Sequence, residues 1–228
     1  MRIAEIYRSV QGEGFLTGTE SVFVRTSGCN LRCWFCDTPY TSWSPEGDDL
    51  AVSEVLERAA SFDCRHVVVT GGEPMIHGEL VPLAAGLRRA GRHITIETAG
   101  TLYLPVECDL MSISPKLAGS APSEADHPTW HRRHVATRHA PHVMQKLVSQ
   151  YKYQIKFVVD APADCQEAQR YLDEMPQIDR SRVMLMPQGT TLEELAARAE
   201  WLEPYCRDHS LVYCPRRQIE WFGLVRGT

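Results

Sequence analysis

The sequence predicts an α/β fold, an incomplete TIM-like barrel of about six parallel strands with a reduced helix set, spanning residues 1–228 as a single domain. Three observations carry this. Runs of β-branched and other apolar residues recur along the chain. Amphipathic helical periods occupy most of the intervals between them. Strands that alternate with helices pair in parallel through crossover connections, and about six such units fall short of a closed eightfold barrel.

The first strand is "SVFVRTS" (21–27), and the second is "HVVVT" (66–70), followed at once by Gly71 and Gly72. "HITIET" (93–98) alternates cleanly, "DLMSIS" (109–114) is weaker, and "QIKFVVD" (154–160) and "RVMLMP" (182–187) complete the set. Among the helices, Ser53 is placed to cap "EVLERAASF". "ELVPLAAGLRRAG" has Pro82 near its first turn and Gly91 past its end. "ADCQEAQRYLDEM" and "LEELAARAEWLEPYC" place apolar residues three and four apart. One interval breaks the pattern. "AGTLYLPVEC", between the third and fourth strands, is too short for an ordinary crossover helix, so a helix is expected to be missing there. The opposite holds for 118–150, which begins Pro/Ser-rich and turns helical.

Composition excludes several classes. The net charge of −5 leaves no basic footprint for nucleic acid. No apolar run approaches the ~20 residues of a membrane span, and the N-terminal "MRIAEIYRSVQGEG" lacks an apolar signal core. A cytoplasmic protein is expected. Eight cysteines in 228 residues are too sparse for a disulfide scaffold. Cys64, Cys108, Cys165, Cys206 and Cys214 are scattered, and are expected to be small buried hydrophobes.

The other three cysteines are clustered. "GCNLRCWFCDT" (28–38) spaces Cys29, Cys33 and Cys36 as C-x3-C-x2-C, in a loop bounded by Gly28 and Pro39. Four thiolates fill a 4Fe-4S cube, and three leave one iron open to a small molecule. A structural zinc would need a fourth ligand, usually from a second short-spaced pair, and no such pair is suitably placed. The histidines between His127 and His142 are read as a polar, solvated helix rather than as ligands. One strand–helix unit downstream, "VVVTGGEP" (67–74) sets two glycines and Glu73 at the C-terminal end of a strand, where parallel α/β sheets bind ligands. Gly71 and Gly72 would let the backbone approach a ligand closely.

Together these motifs resemble the radical S-adenosylmethionine (SAM) superfamily. The resemblance implies one 4Fe-4S cluster on Cys29, Cys33 and Cys36, with SAM on the open iron. The cluster's electron then cleaves SAM to a 5′-deoxyadenosyl radical. The flanking "QGEG", "FVRTSGCNLRC", "CDT", "TGGEP", "ETAGT", "SPK" and "QIEWFGLVRGT" resemble the 7-carboxy-7-deazaguanine synthase family, over most of the chain. That family converts 6-carboxy-5,6,7,8-tetrahydropterin to 7-carboxy-7-deazaguanine with loss of ammonia, assisted by magnesium. The radical abstracts hydrogen from C6, the ring contracts, and a hydrogen returns from 5′-deoxyadenosine. A homodimer, and an electron donor such as flavodoxin or ferredoxin, are implied as partners.

The resemblance also implies site residues. Thr38 is the magnesium ligand, an oxygen donor suited to a hard ion. Phe35, Cys36 and Asp37 lie around the SAM adenine, and Gly72 and Glu73 at its methionyl end. Ser114, Pro115 and Lys116 follow the ribose, with Met186, Pro187, Gln188 and Gly189 nearby. Val10, Gln11, Gly12 and Glu13 face the pterin. Its N–H edge suits an amide or carboxylate acceptor on this glycine-flexed loop before the first strand. Thr70 touches the pterin, and Arg25 clamps its carboxylate. Alternation by itself does not place Arg25 inside: if Phe23 faces the outer layer, so does Arg25. At the C-terminus, either Arg216, Arg217 or Gln218 reaches the site, or Trp221 and Phe222 pack in a dimer interface. Two other readings use the same cysteines: an activase that makes a glycyl radical on a partner protein, and a non-catalytic zinc or electron-transfer module.

Overall fold

The computed structural model describes residues 1–228. In chain order the elements are β1 (Arg2–Val10), β2 (Glu20–Thr26), α1 (Pro39–Ser42), β3 (Asp48–Asp49), α2 (Val52–Ala60), β4 (His66–Gly71), α3 (Leu80–Arg89), β5 (His93–Thr98), β6 (Leu110–Ile113), α4 (Pro128–Thr137), α5 (Pro141–Gln150), β7 (Tyr153–Val159), α6 (Pro162–Asp173), β8 (Val183–Pro187), α7 (Leu192–Asp208), β9 (Val212–Tyr213) and α8 (Arg217–Phe222).

One nine-stranded sheet runs β3-β1-β2-β4-β5-β6-β7-β8-β9. From β2 to β9 every pair is parallel, while β1 lies antiparallel on β2 and β3 antiparallel on β1. The sheet has two edges and does not close, so the partial barrel expected from the sequence holds. The six expected strands are β2, β4, β5, β6, β7 and β8. β1 was not anticipated, because Arg2, Glu5 and Arg8 break the apolar reading of its run.

Period two decides what each strand shows to each side. The main core is a cluster of 40 buried apolar residues. It takes Val22 and Val24 of β2, Val67 and Val69 of β4, Ile94 and Ile96 of β5, Met111 and Ile113 of β6, Ile155, Phe157 and Val159 of β7, and Val183 and Leu185 of β8. None of the intervening strand residues belongs to it. Those intervening positions include Arg25, Thr70, Glu97, Ser112, Gln154 and Lys156. A barrel interior built for packing alone would be filled with Val, Ile and Leu. This inner face mixes such polar and charged side chains with Phe23, Val68, Val158 and Met186, a lining suited to a ligand rather than to packing alone. Arg25 is on it because Phe23 is too, and both line the same cavity; the outer-layer orientation weighed for Phe23 does not occur.

Other elements refine the expectations. No helix lies between β5 and β6. The extended segment there packs Leu102, Tyr103 and Leu104 on the core, and α5 buries Val143, Met144 and Leu147 beside it. Those apolar side chains cover the face a crossover helix would have covered. Ser53 is not a cap: Ala51 is the N-cap of α2, with Glu54 accepting its N–H at 2.7 Å. Pro82 and Gly91 stand where expected at either end of α3. The segment 118–150 folds as α4 and α5 after a short 3-10 turn. In α4, His134 is fully buried rather than solvated. Among the scattered cysteines, Cys108 is only half-buried; the other four are buried.

Candidate active site

The strand ends and the loops after them surround one cavity of about 500 Å³, a size typical of small-molecule sites. Cys29, Cys33 and Cys36 line it, on the loop between β2 and α1. All three are free thiols. No three His, Cys, Asp or Glu side chains in the chain close on one point tightly enough for a single ion. That donor set, three sulfurs without a second chelating pair, fits a 4Fe-4S cluster with one open iron better than a zinc ion. Burial pushes the Cys29 thiol to about 11 and the Cys33 thiol to about 12. A neutral form is therefore favoured until a metal centre takes the sulfur.

The loop is held from three sides. Arg32 is buried and its Nη1 donates to Cys29 O and Leu31 O, each at 2.7 Å. Its guanidinium lies 3.9 Å from the centroid of the Trp130 ring of α4. His134 accepts from Arg32 N at 3.2 Å on Nδ1, and its Nε2 meets Ser120 Oγ at 2.9 Å. Burial, with the Arg138 and Lys116 charges, pushes the His134 imidazole down to about 4. Asn30 donates to Thr101 Oγ1 at 2.9 Å. From the third side come Gly71, the last residue of β4, and Gly72 just after it. A Cβ on Gly72 would stand 2.0 Å from Gly28 O and 2.7 Å from Thr41 O. Gly71 adopts φ 131° against the backbone of Thr26. The close approach these glycines allow is therefore to the thiol loop's own backbone. It is sealed by Glu73 N donating to Gly28 O at 2.9 Å.

Of the residues expected at the site, Val10, Gln11, Gly12, Glu13, Arg25, Phe35, Asp37, Thr38, Thr70, Gly72, Ser114, Lys116, Met186 and Gln188 line the cavity with the three cysteines. Glu73, Pro115, Pro187 and Gly189 do not. Pro115 and Pro187 fall out of phase with the wall residues on either side of them. The Glu73 carboxylate is fully buried and accepts from Met75 N (3.0 Å), Thr98 Oγ1 (2.8 Å) and Ala99 N (2.7 Å). It ties the end of β4 to the end of β5. Burial raises its carboxyl above the ordinary range despite these bonds.

At the opposite wall, Glu13 and Glu97 flank Lys156, which is 4% exposed. Lys156 Nζ donates to Glu13 Oε2 at 2.8 Å and lies 3.7 Å from Glu97 Oε1. Gln218 Nε2 donates to Glu13 Oε1 at 2.6 Å, and Arg216 Nε reaches the same oxygen at 3.4 Å. Burial alone would raise the Glu13 carboxyl. The Lys156 and Arg216 charges outweigh it, and the carboxyl is held at about 2. Burial likewise opposes the Lys156 charge, but the two carboxylates keep its ammonium well above the ordinary lysine range. Glu97 also accepts from Gln11 Nε2 (3.3 Å) and Thr70 Oγ1 (2.8 Å).

Arg25 is held by Glu5 Oε1 (2.6 Å from Nε) and Tyr7 Oη (2.7 Å from Nη2), which leaves Nη1 without a protein partner. Thr38 Oγ1 sits 3.3 Å from Thr41 Oγ1 and 3.8 Å from Cys36 Sγ, and makes no cap bond to α1. Lys116 Nζ donates to Ser114 O and Oγ, each at 2.7 Å.

Of the C-terminal alternatives, the one that brings Arg216 or Gln218 to the site is seen. Arg216 is buried, donates to Gly189 O at 2.6 Å and pairs with Asp37. Gln218 reaches Glu13, whereas Arg217 points away and pairs with Glu220. Trp221 and Phe222 are exposed. Glu5, Tyr7, Glu97, Ser112 and Lys156 line the cavity without having been singled out from the sequence. The signal for Glu97 and Lys156 was present: each is a charge in phase opposite to the apolar residues of a strand flanked by strands on both sides.

Residues 23–115 match the model of the radical SAM superfamily. A curated 7-carboxy-7-deazaguanine synthase of Rhodopirellula baltica is 49% identical over 227 residues, covering 99% of this chain and 88% of that protein. One from Halobacterium salinarum is 42% identical, covering 95% and 88%. The crystal structure of QueE from Escherichia coli superposes with a TM-score of 0.70 at 23% identity, covering 95% of this chain and 93% of that one, which supports the fold. With identity of that order along nearly its whole length, and three cysteines, a partly polar inner face and a strand-end cavity in one site, the chain belongs to the 7-carboxy-7-deazaguanine synthase family of radical SAM enzymes.

Proposed function

We propose that this chain converts 6-carboxy-5,6,7,8-tetrahydropterin to 7-carboxy-7-deazaguanine with release of ammonia. The observation that carries the reading is the single cavity that joins three free thiols to a polar, charge-paired inner wall. Cys29, Cys33 and Cys36 would hold the 4Fe-4S cluster, whose open iron supplies reductive cleavage of SAM to a carbon radical. Phe35, Asp37, Gly72, Ser114, Lys116, Met186 and Gln188 stand on the wall as SAM contacts. Glu73 supports that wall through Thr98 and Ala99, and Gly189 through its carbonyl on Arg216.

The chain's own groups suit the pterin. The unpartnered Nη1 of Arg25, already fixed through its other nitrogens, is oriented for a carboxylate. Glu97, Glu13 and Gln11 are acceptors for an N–H edge, and the Lys156 ammonium lies between the two carboxylates, 2.8 Å from Glu13 and 3.7 Å from Glu97. Thr70 and the Val10–Glu13 loop complete that side. The Thr38 hydroxyl makes no cap bond and accepts from the Thr41 side chain, from Oγ1 at 3.3 Å, and its remaining lone pair suits a magnesium ion shared with substrate. Residues 223–228 lie along the cavity wall.

The same reading includes one domain over 1–228, supported by one sheet and one main core. It includes a reducing cytoplasm, supported by eight free cysteines, and an outside one-electron donor. Exposed Trp221, Phe222, Leu224 and Val225 support a homodimer. No helix is long and apolar enough to cross a membrane. An activase or a non-catalytic metal module would have no use for the Glu13–Lys156–Glu97 arrangement. The test is anaerobic turnover of reconstituted protein with carboxytetrahydropterin and SAM, with and without magnesium. Deazapurine product is expected, and its absence from protein carrying a full cluster refutes the reading.

A further inference from the structure

Charge is unevenly distributed along this chain. From residue 127 to 159 there is no Asp or Glu, while Arg132, Arg133, Arg138, Lys146, Lys152 and Lys156 contribute six cations. The whole chain carries −5, so the remainder carries −5 minus 6, or −11. Lys156 is spent inside the cavity and Arg138 on Glu167. Arg132 and Arg133 are exposed on α4 and pair with no carboxylate. Glu124 and Asp126 lie just before the helix, outside this run.

α4 is also the helix that packs against the thiol loop. Trp130, between the two faces, lies on Arg32 and under Arg133, whose guanidinium is 5.0 Å from its centroid. His134 holds the backbone of Arg32. His127 lies 4.7 Å from the ring of Trp43, whose Nε1 donates to Cys33 O at 3.0 Å. Trp34, immediately after Cys33, is 51% exposed, and its indole N–H is held by Gly119 O at 2.8 Å. A large aromatic is thus fixed at the surface beside the ligating residues. The next helix face carries unpaired arginines, on a protein that is otherwise acidic.

We propose that Arg132, Arg133 and the exposed face of Trp34 form the docking surface for a small acidic electron-carrier protein of the flavodoxin kind. Unpaired cations on a short path to a buried centre steer an acidic partner, and the surrounding acidic surface disfavours other approaches. One electron leaves the carrier's reduced flavin and enters the cluster, and no other group is transferred. The proposal rests on the reading of the thiol loop as a 4Fe-4S site; iron content and dithionite-driven turnover test that reading separately.

The experiment compares wild type, the double variant Arg132→Glu/Arg133→Glu, and a control double variant on other helices, Arg89→Glu/Arg207→Glu. A strongly acidic flavodoxin is titrated against each by calorimetry, with and without the cluster. Wild-type affinity is expected to weaken as salt rises from about 50 to about 300 mM. The α4 reversal is expected to weaken low-salt binding roughly ten-fold or more, the control far less. Turnover driven by flavodoxin, its reductase and NADPH should fall in step, through the KM for flavodoxin, while dithionite-driven turnover and iron content stay at wild-type values. Unchanged affinity in the α4 variant, an equal loss in the control, or a matching loss with dithionite would each overturn the proposal.

Discussion

Lys156 is the one cation shared by two carboxylates at the back of the cavity, and Lys156→Met removes its charge while keeping most of its volume. Glu13 would retain Arg216 at 3.4 Å and Gln218, but Glu97 would lose its only cation. The Glu13 carboxyl sits at about 2 against an ordinary 4.5. A difference of that size corresponds to about 3 kcal/mol at neutral pH, divided among its donors. Removing one partner of a buried pair typically costs about 3–5 kcal/mol, because the other charge stays buried. Urea unfolding of the cluster-free protein at pH 7.5 is therefore expected to show a loss of about 3 kcal/mol, a midpoint shift of roughly 1 M or more. Adding Glu13→Gln to Lys156→Met should recover a good part of that loss, because the uncompensated carboxylate goes with it. The pH dependence has a definite sign. In wild type the folded-state value lies below the unfolded one, so this stability is present above about pH 4.5 and is lost as pH falls toward about 2. In the variant the Glu13 carboxylate protonates more readily, so the gap between the two proteins should narrow as the solution is acidified. A loss under ~1 kcal/mol at pH 7.5 with no rescue by Glu13→Gln would show that the pair is not the buried, mutually dependent unit described here.

Thr38→Ala is expected to weaken or abolish the response of turnover to magnesium while SAM cleavage continues; a magnesium titration that superimposes on wild type removes Thr38 from the metal site. Gly72→Ala places a methyl 2.0 Å from Gly28 O, so the thiol loop must shift, and iron per chain after reconstitution should fall well below the wild-type value. His134→Ala deletes a fully buried bracket between Arg32 and Ser120. A loss of about 1–3 kcal/mol is expected in urea unfolding, and no measurable loss would contradict the bracket. Wild-type His134, depressed from 6.5 to about 4, contributes stability that is present above about pH 6.5 and declines as pH falls toward 4. The alanine variant should lack that part of the slope.

Much of the architecture was legible because its signals are local. Repeating β-branched runs marked the six parallel strands, Pro82 and Gly91 bracketed a helix, and the short interval after Thr98 announced a missing one. Ser53 misled, because capping depends on backbone conformation at Ala51 rather than on residue type. β1 was hidden by its charges: Glu5 reads as surface, yet it is only 13% exposed because Arg25 and Tyr40 satisfy it from elsewhere in the chain. His134 misled for the same reason. A histidine among arginines reads as solvated until Ser120 and Arg32 are folded around it.

What the linear order carried was chelation: three cysteines within one loop, their glycine partner motif, and hence the chemistry those ligands allow. Spacing along a chain fixes which atoms can share one centre when they lie a few residues apart. It does not carry the pairing of Glu13 with Lys156, 143 residues away, or with Gln218, 205 residues away. Nor does it carry the turning of Glu73 away from the cavity or the packing of α4 on the thiol loop. Those depend on strands meeting in register and on which charge finds a partner once water is excluded. A buried charge is tolerated only where the fold brings it its counter-ion.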